Sequence, residues 1–197
     1  MSESVLTKKA IAKSLKELTR SVSFDKITVR DISEACGINR QTFYYHFSDK
    51  YDLLKWIYYT DYLQRYTEDI SFSNWKERLT SILTSMKNDS FFCINTFRHT
   101  DAYIHDFLVD IAEEVFGMAI DDIDTNHTVT KDEHHYFSRF FAYGLNGIIS
   151  EWVNSGMETE PETISDYLYR LLISSETAAY KKVTGELRSG MDQKPEC

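Results

Sequence analysis

The residues with the most chemistry to offer stand together between Thr28 and Lys50, in the stretch TVRDISEACGINRQTFYYHFSDK. If Arg40 to about Phe47 is helical, Phe43 and Phe47 lie four residues apart and can bury together. Their burial turns Arg40, Gln41, Tyr44 and Tyr45 to another face. That face offers a guanidinium fork, an amide and two phenol hydroxyls, the groups that hydrogen-bond base edges and phosphate oxygens. Lys50 falls in the first turn of a following helix, where free amides already favour an anion. The chemistry on offer is recognition of double-stranded DNA.

Local signals place these groups on short helices. Thr28 can cap a helix with Asp31 at its third position, an acidic variant of the capping box, and Ile32 and Cys36 mark its apolar side. Gly37 supplies the positive φ that ends this helix, Ile38 drops inward, and Asn39 caps the next. Ser48 is expected to cap a third helix beginning near Asp49. Plainer uses exist for each side chain: Tyr44 and Tyr45 as packing residues, His46 as a cap or surface residue, Arg30 and Lys50 as solvated charges. Two cations bracketing one recognition helix weigh against coincidence.

The pattern TVRDI, then a small residue and glycine, then TFYYHF and a lysine, resembles the DNA-binding domain of the TetR family of transcriptional regulators over residues 7 to 56. The resemblance implies that Thr28 and Arg30 hold the DNA backbone and that Arg40, Gln41 and Tyr44 face bases. It further implies that Thr42, Tyr45, His46 and Lys50 contact phosphate. It also implies a homodimer whose last two helices meet their twins in a four-helix interface. The segments YGLNGIISEWVNSGM and PETISDYL are similar to the C-terminal region of a subgroup that includes regulators of dihydroxyacetone kinase genes. That likeness admits a protein partner for the body as well as a small-molecule effector.

Charge divides along the chain. The 197 residues carry a formal charge of −9, yet residues 1 to 56 hold 10 Lys and Arg against 7 Asp and Glu, so the acidity lies beyond them. An acidic body is repelled by phosphates and holds the protein off DNA except through its basic end. Two prolines, Pro161 and Pro195, and no sustained alternation of apolar residues point to an all-α fold. No signal peptide or membrane-spanning run is evident, and three distant cysteines without metal spacing suit a reducing cytoplasm.

The expected organisation is a helix-turn-helix domain over 1–50, a helical effector-binding and dimerisation bundle over 51–184, and a polar tail over 185–197. Tyr51 to about Ile70 continues as a strut unbroken by glycine or proline, and 121–133 reads as a loop. Phe137, Phe140, Phe141, Gly144, Leu145, Ile148 and Trp152 follow helical spacing up to a stop at Gly156. Pro161 opens a last helix with Ile164, Tyr167, Leu168, Leu171, Leu172 and Ser175 on one stripe. Candidate walls for an effector pocket are Phe97, Tyr103, Phe107, Tyr143 and Trp152, although aromatics at such spacing also build cores. No phosphate loop, nucleophile elbow, CxxC or HExxH occurs, so no catalytic constellation, cofactor or metal site is expected. One small helix-turn-helix makes too few base contacts for a selective site, whereas two, about 34 to 36 Å apart, reach successive major grooves of a near-palindromic operator.

Overall fold

The computed structural model describes residues 3–171 apart from 69, 72, 101–102 and 125–126. Among the described residues there are helices and turns and no strand. The expected tail at 185–197, and the stripe positions Leu172 and Ser175, lie outside them.

Helix α1 (Glu3–Leu18) buries Ile11, Ala12 and Leu15 against α2 (Val29–Cys36), α3 (Arg40–His46) and α4 (Lys50–Ile57), with a tight turn over Phe24–Lys26 between α1 and α2. The capping box at Thr28 is complete: the Asp31 amide donates to Thr28 Oγ1, and the Thr28 amide donates to the Asp31 carboxylate at 2.8 Å. Gly37, at φ +70°, adopts the left-handed conformation that lets α2 end within one residue. The third cap differs from expectation. Asp49 is the N-cap of α4, accepting from the amides of Tyr51 and Asp52, while Ser48 donates its own amide to Asp52. A carboxylate accepts two amides at once where a hydroxyl would serve fewer.

The strut runs on from α4 as expected, but widens into a π-helical stretch, Tyr58–Leu63, before α5 (Gln64–Thr67). The wider turn seats Tyr58, Tyr62 and Leu63 in the core and leaves Asp61 at its rim. The body continues with α6 (Trp75–Asn88), α7 (Ser90–His99), α8 (Tyr103–Ile123), α9 (Lys131–Asn154) and α10, residues 161–171.

Helices α8 and α9 form a long antiparallel hairpin. Its register is set by Phe116 against Phe141, by Glu113 with Arg139, and by His105 with Ser150. The expected loop over 121–133 is shorter than its polar composition suggested. Helix α8 persists to Ile123, and α9 starts at Lys131 under a second capping box, Thr130 with Glu133. Asp124 gathers the intervening turn by accepting from the amides of Thr128 and Val129, both at 2.8 Å. Polar side chains here build caps at both ends of the turn, so composition overstated its length.

Candidate nucleic-acid interface

Helix α3 is pinned by Phe43 and Phe47, which are buried with ring centroids 5.9 Å apart. Asn39 caps it by accepting from the Thr42 amide at 2.8 Å, and the Thr42 hydroxyl donates to the same oxygen. Opposite the buried pair, Tyr44 is 57% and Tyr45 81% exposed, so neither is a core residue. The Tyr44 ring rests edge-on against Phe43, and Tyr45 against His46, which fixes their directions while leaving both hydroxyls to solvent. Arg40 and Gln41 are exposed at the start of the helix, with no side-chain hydrogen bond or ion pair to another described residue. One surface therefore carries a free guanidinium, a free amide and two oriented phenols.

The residues around α3 are more committed. Arg30 donates Nε to Glu34 one turn along α2, at 2.6 Å. Thr28 has spent its hydroxyl on Asp31, and that bond is the leading cause holding the Asp31 carboxyl below its usual range. Lys50 turns inward: its ammonium donates to the carbonyls of Phe24, Asp25 and Ile27 at 2.8, 2.9 and 2.8 Å, and sits 4.7 Å from the Phe24 ring centre. All three of its donors thus point at the Phe24–Lys26 turn and the Ile27 that caps it. Burial lowers its pKa from the ordinary value.

Two side chains that the sequence did not single out join this head to the body. Asn95 of α7 donates to the carbonyls of Thr19 and Val22, at 2.7 and 2.9 Å, and accepts from the Phe24 amide at 2.8 Å. Lys16 of α1 pairs with Asp61 at 2.7 Å and Asp89 at 2.6 Å, and Tyr62 donates to the same Asp89 oxygen. Asn95 carried a detectable signal, a lone amide in the apolar run SFFCINTF. Lys16 carried none, because it looks like any lysine on the polar side of an amphipathic helix.

Matches to known proteins fall on the same two parts. Residues 10–57 match the model for bacterial regulatory proteins of the tetR family, and 73–174 match a transcriptional regulator C-terminal region of the same family. The chain belongs to the TetR family of transcriptional regulators. Within this family it is similar to the HTH-type dhaKLM operon transcriptional activator DhaS of Lactococcus lactis, at 31% identity over 109 residues. That match spans 55% of this chain and only 58% of the relative. The solved structure of a dihydroxyacetone kinase operon activator DhaS is 26% identical, with a TM-score of 0.66 over 87% of this chain and 96% of that one. NalD, the secondary repressor of the MexAB-OprM multidrug efflux pump in Pseudomonas aeruginosa, shares the fold at 16% identity, with a TM-score of 0.58 over 87% and 97%.

The TetR-family body distributes the five aromatic candidates widely. Phe97 and Trp152 are buried: Phe97 packs on Tyr58 and His105, and the Trp152 indole donates to the Thr159 carbonyl. Tyr103 lies against Tyr51, with the Lys55 ammonium above it and within 5.6 Å of Phe107. Tyr143 is exposed on the far side of α9 beside Arg139. The stripe read along α9 also divides. Phe141, Leu145 and Trp152 turn inward, while Phe137, Phe140, Gly144 and Ile148 face out. Burial raises the Cys93 thiol to about 12, which keeps it protonated. No described helix is long and apolar enough to cross a membrane.

Proposed function

We propose that this regulator binds a near-palindromic operator as a homodimer, through a head over residues 1–50, and that an effector acting on a body over 51–184 alters its affinity for DNA. The observation that carries the reading is α3 itself, where Arg40, Gln41, Tyr44 and Tyr45 project from a helix held by two buried phenylalanines. Arg40, Gln41 and Tyr44 meet base edges, and Thr28, Arg30, Thr42, Tyr45 and His46 meet the backbone. Lys50 acts by fastening the start of α4 to the turn that precedes α2.

The homodimer rests on the outer face of α9. Tyr136, Phe137, Phe140 and Tyr143 are 47 to 73% exposed, and Gly144 and Gly147 have no neighbour where a Cβ would stand. A bare aromatic face next to two open glycines suits close approach by another helix. No catalytic role, cofactor or metal is part of this reading.

A second reading makes the chain an activator whose body docks a protein instead of a small molecule. It is favoured by the DhaS relative's description as an activator and by the aromatic face on α9. Selection of bound duplexes from a random pool, comparing the protein with Tyr44→Ala, tests the DNA reading. An enriched inverted repeat that the variant loses supports it, whereas no enrichment from folded protein refutes it.

A further inference from the structure

A cleft of about 370 Å³ opens between α1 and the corner where α6 gives way to α7. It shares no lining residue with α3 or with the five aromatics considered for a pocket. Its volume falls within the range of small-molecule sites. Lys9, Lys13, Lys16 and Arg20 line it from one face of α1, with Glu17 among them, and Asp61 lines it from the π-helical stretch. Asp89, Ser90, Phe91 and Phe92, at the start of α7, stand across from them.

The cations are not equally occupied. Lys16 is taken by Asp61 and Asp89, and Arg20 reaches Glu17 at 3.3 Å. Lys9 and Lys13 have no carboxylate partner among the described residues. The opposite wall is short of an acceptor too. Asp89 occupies the N-cap position of α7, yet its carboxylate makes no capping bond, and its Oδ2 is held by Lys16 and Tyr62. The first-turn amides of α7 are therefore left without a side-chain cap at the mouth of a cleft whose four cations outnumber its three carboxylates, Glu17, Asp61 and Asp89, with Lys9 and Lys13 as the uncommitted excess. Beside them Phe91 is 71% exposed, and Trp56 also lines the space.

We infer that this cleft is the effector site and that it takes a small organic anion, a carboxylate or phosphate ester with an apolar or aromatic portion. The anionic group sits between Lys9, Lys13 and the first turn of α7, and the apolar portion lies against Phe91 and Trp56. Such a ligand bridges the first helix of the head to the body, so its binding and the placement of the head are linked. The inference rests on the reading of the protein as an effector-responsive DNA binder.

Calorimetric titration of the full-length protein with phenyl phosphate, with phenol as the neutral control, is the test. One site per chain is expected, with phenol about tenfold weaker or worse, and with a loss of about tenfold or more in the Lys9→Glu/Lys13→Glu variant. Lys131→Glu, a charge reversal at an exposed lysine outside the cleft, should bind phenyl phosphate as the parent does. Lack of saturable binding in the millimolar range, or undiminished binding by the double variant, overturns the assignment. Duplex selection on the same preparation separates the two claims. A selected site from protein that ignores phenyl phosphate overturns the cleft alone, while phenyl phosphate binding without any selected site upholds the cleft and overturns the DNA reading.

Discussion

Arg40→Ala should cost DNA affinity on the order of 1 to 3 kcal/mol per half-site if the guanidinium is bidentate to a base. A dimer applies the loss twice, about 2 to 6 kcal/mol, or roughly 30-fold to 20,000-fold in Kd. The structure favours a clean measurement. Arg40 is exposed and makes no internal ion pair, so its removal strands no partner and should change stability by less than about 0.5 kcal/mol. Arg30 is the instructive contrast, since its Nε already serves Glu34 and any DNA contact must first compete with that bond. Fluorescence anisotropy on the selected duplex and its single-base variants, repeated across a salt series, separates the roles. Loss of a base contact flattens the preference at one position and leaves the salt slope unchanged, whereas loss of a phosphate contact weakens all duplexes alike and lowers the slope by about 1 per contact. Unchanged affinity for every duplex, or uniform weakening with a reduced slope, would refute base readout by Arg40.

Lys50→Met removes three ammonium-to-carbonyl bonds at a partly exposed site and should lower stability by about 1 to 2 kcal/mol in urea unfolding; full stability with a smaller salt slope would instead assign Lys50 to phosphate. In the Lys16→Met, Asp89→Asn double-mutant cycle, a coupling of about 1 kcal/mol is expected for a pair each less than a third exposed, and a coupling near zero would remove it as a tie between head and body. Phe140→Glu places a charge on the outer α9 face, 73% exposed at that residue, and should yield a folded monomer by light scattering; an intact dimer would move the interface elsewhere. His105 is held below its ordinary pKa chiefly by burial between Phe97 and Ser150. The unfolded chain therefore binds its proton more readily, and stability should fall as pH drops below about 6.5, a loss that His105→Asn reduces. An identical pH dependence in that variant would contradict this.

The head was legible because its signals are local. Thr28, Gly37 and Asn39 each act within three residues, and the pair Phe43 and Phe47 orients α3 without help from the rest of the chain. The body was legible as a set of helices but not as an arrangement, because periodicity reports that a face is apolar and not what covers it. Trp152 and Phe140 belong to one stripe in the sequence, yet one is 4% and the other 73% exposed. The same limit hid the direction of Lys50. A lysine in a first turn suggests an anion, but carbonyls brought from more than twenty residues upstream compete for the same donors, and only tertiary structure reveals them. The π-helical stretch left no trace for a related reason. It answers to Lys16 across the junction and to the core beneath it, neither of which is encoded by neighbours in sequence.

These long-range contacts converge on one short segment, and that convergence bears on how the body can govern DNA. The turn from Thr19 to Ile27 leads from α1 into the helix-turn-helix, and its carbonyls are held from two directions: by Asn95 from α7 and by Lys50 from α4. A displacement of α7 relative to α4 cannot satisfy both sets of bonds with the turn unchanged. The Lys16 contacts with Asp61 and Asp89 close the same junction one turn further along α1. An effector that shifts α7 therefore has a direct route to the orientation of α3 through hydrogen bonds that are short and few. A ligand between Lys13 and the first turn of α7 would act at the place where this route begins, and reciprocity then requires that DNA, by fixing the head, change the ligand's affinity by the same factor.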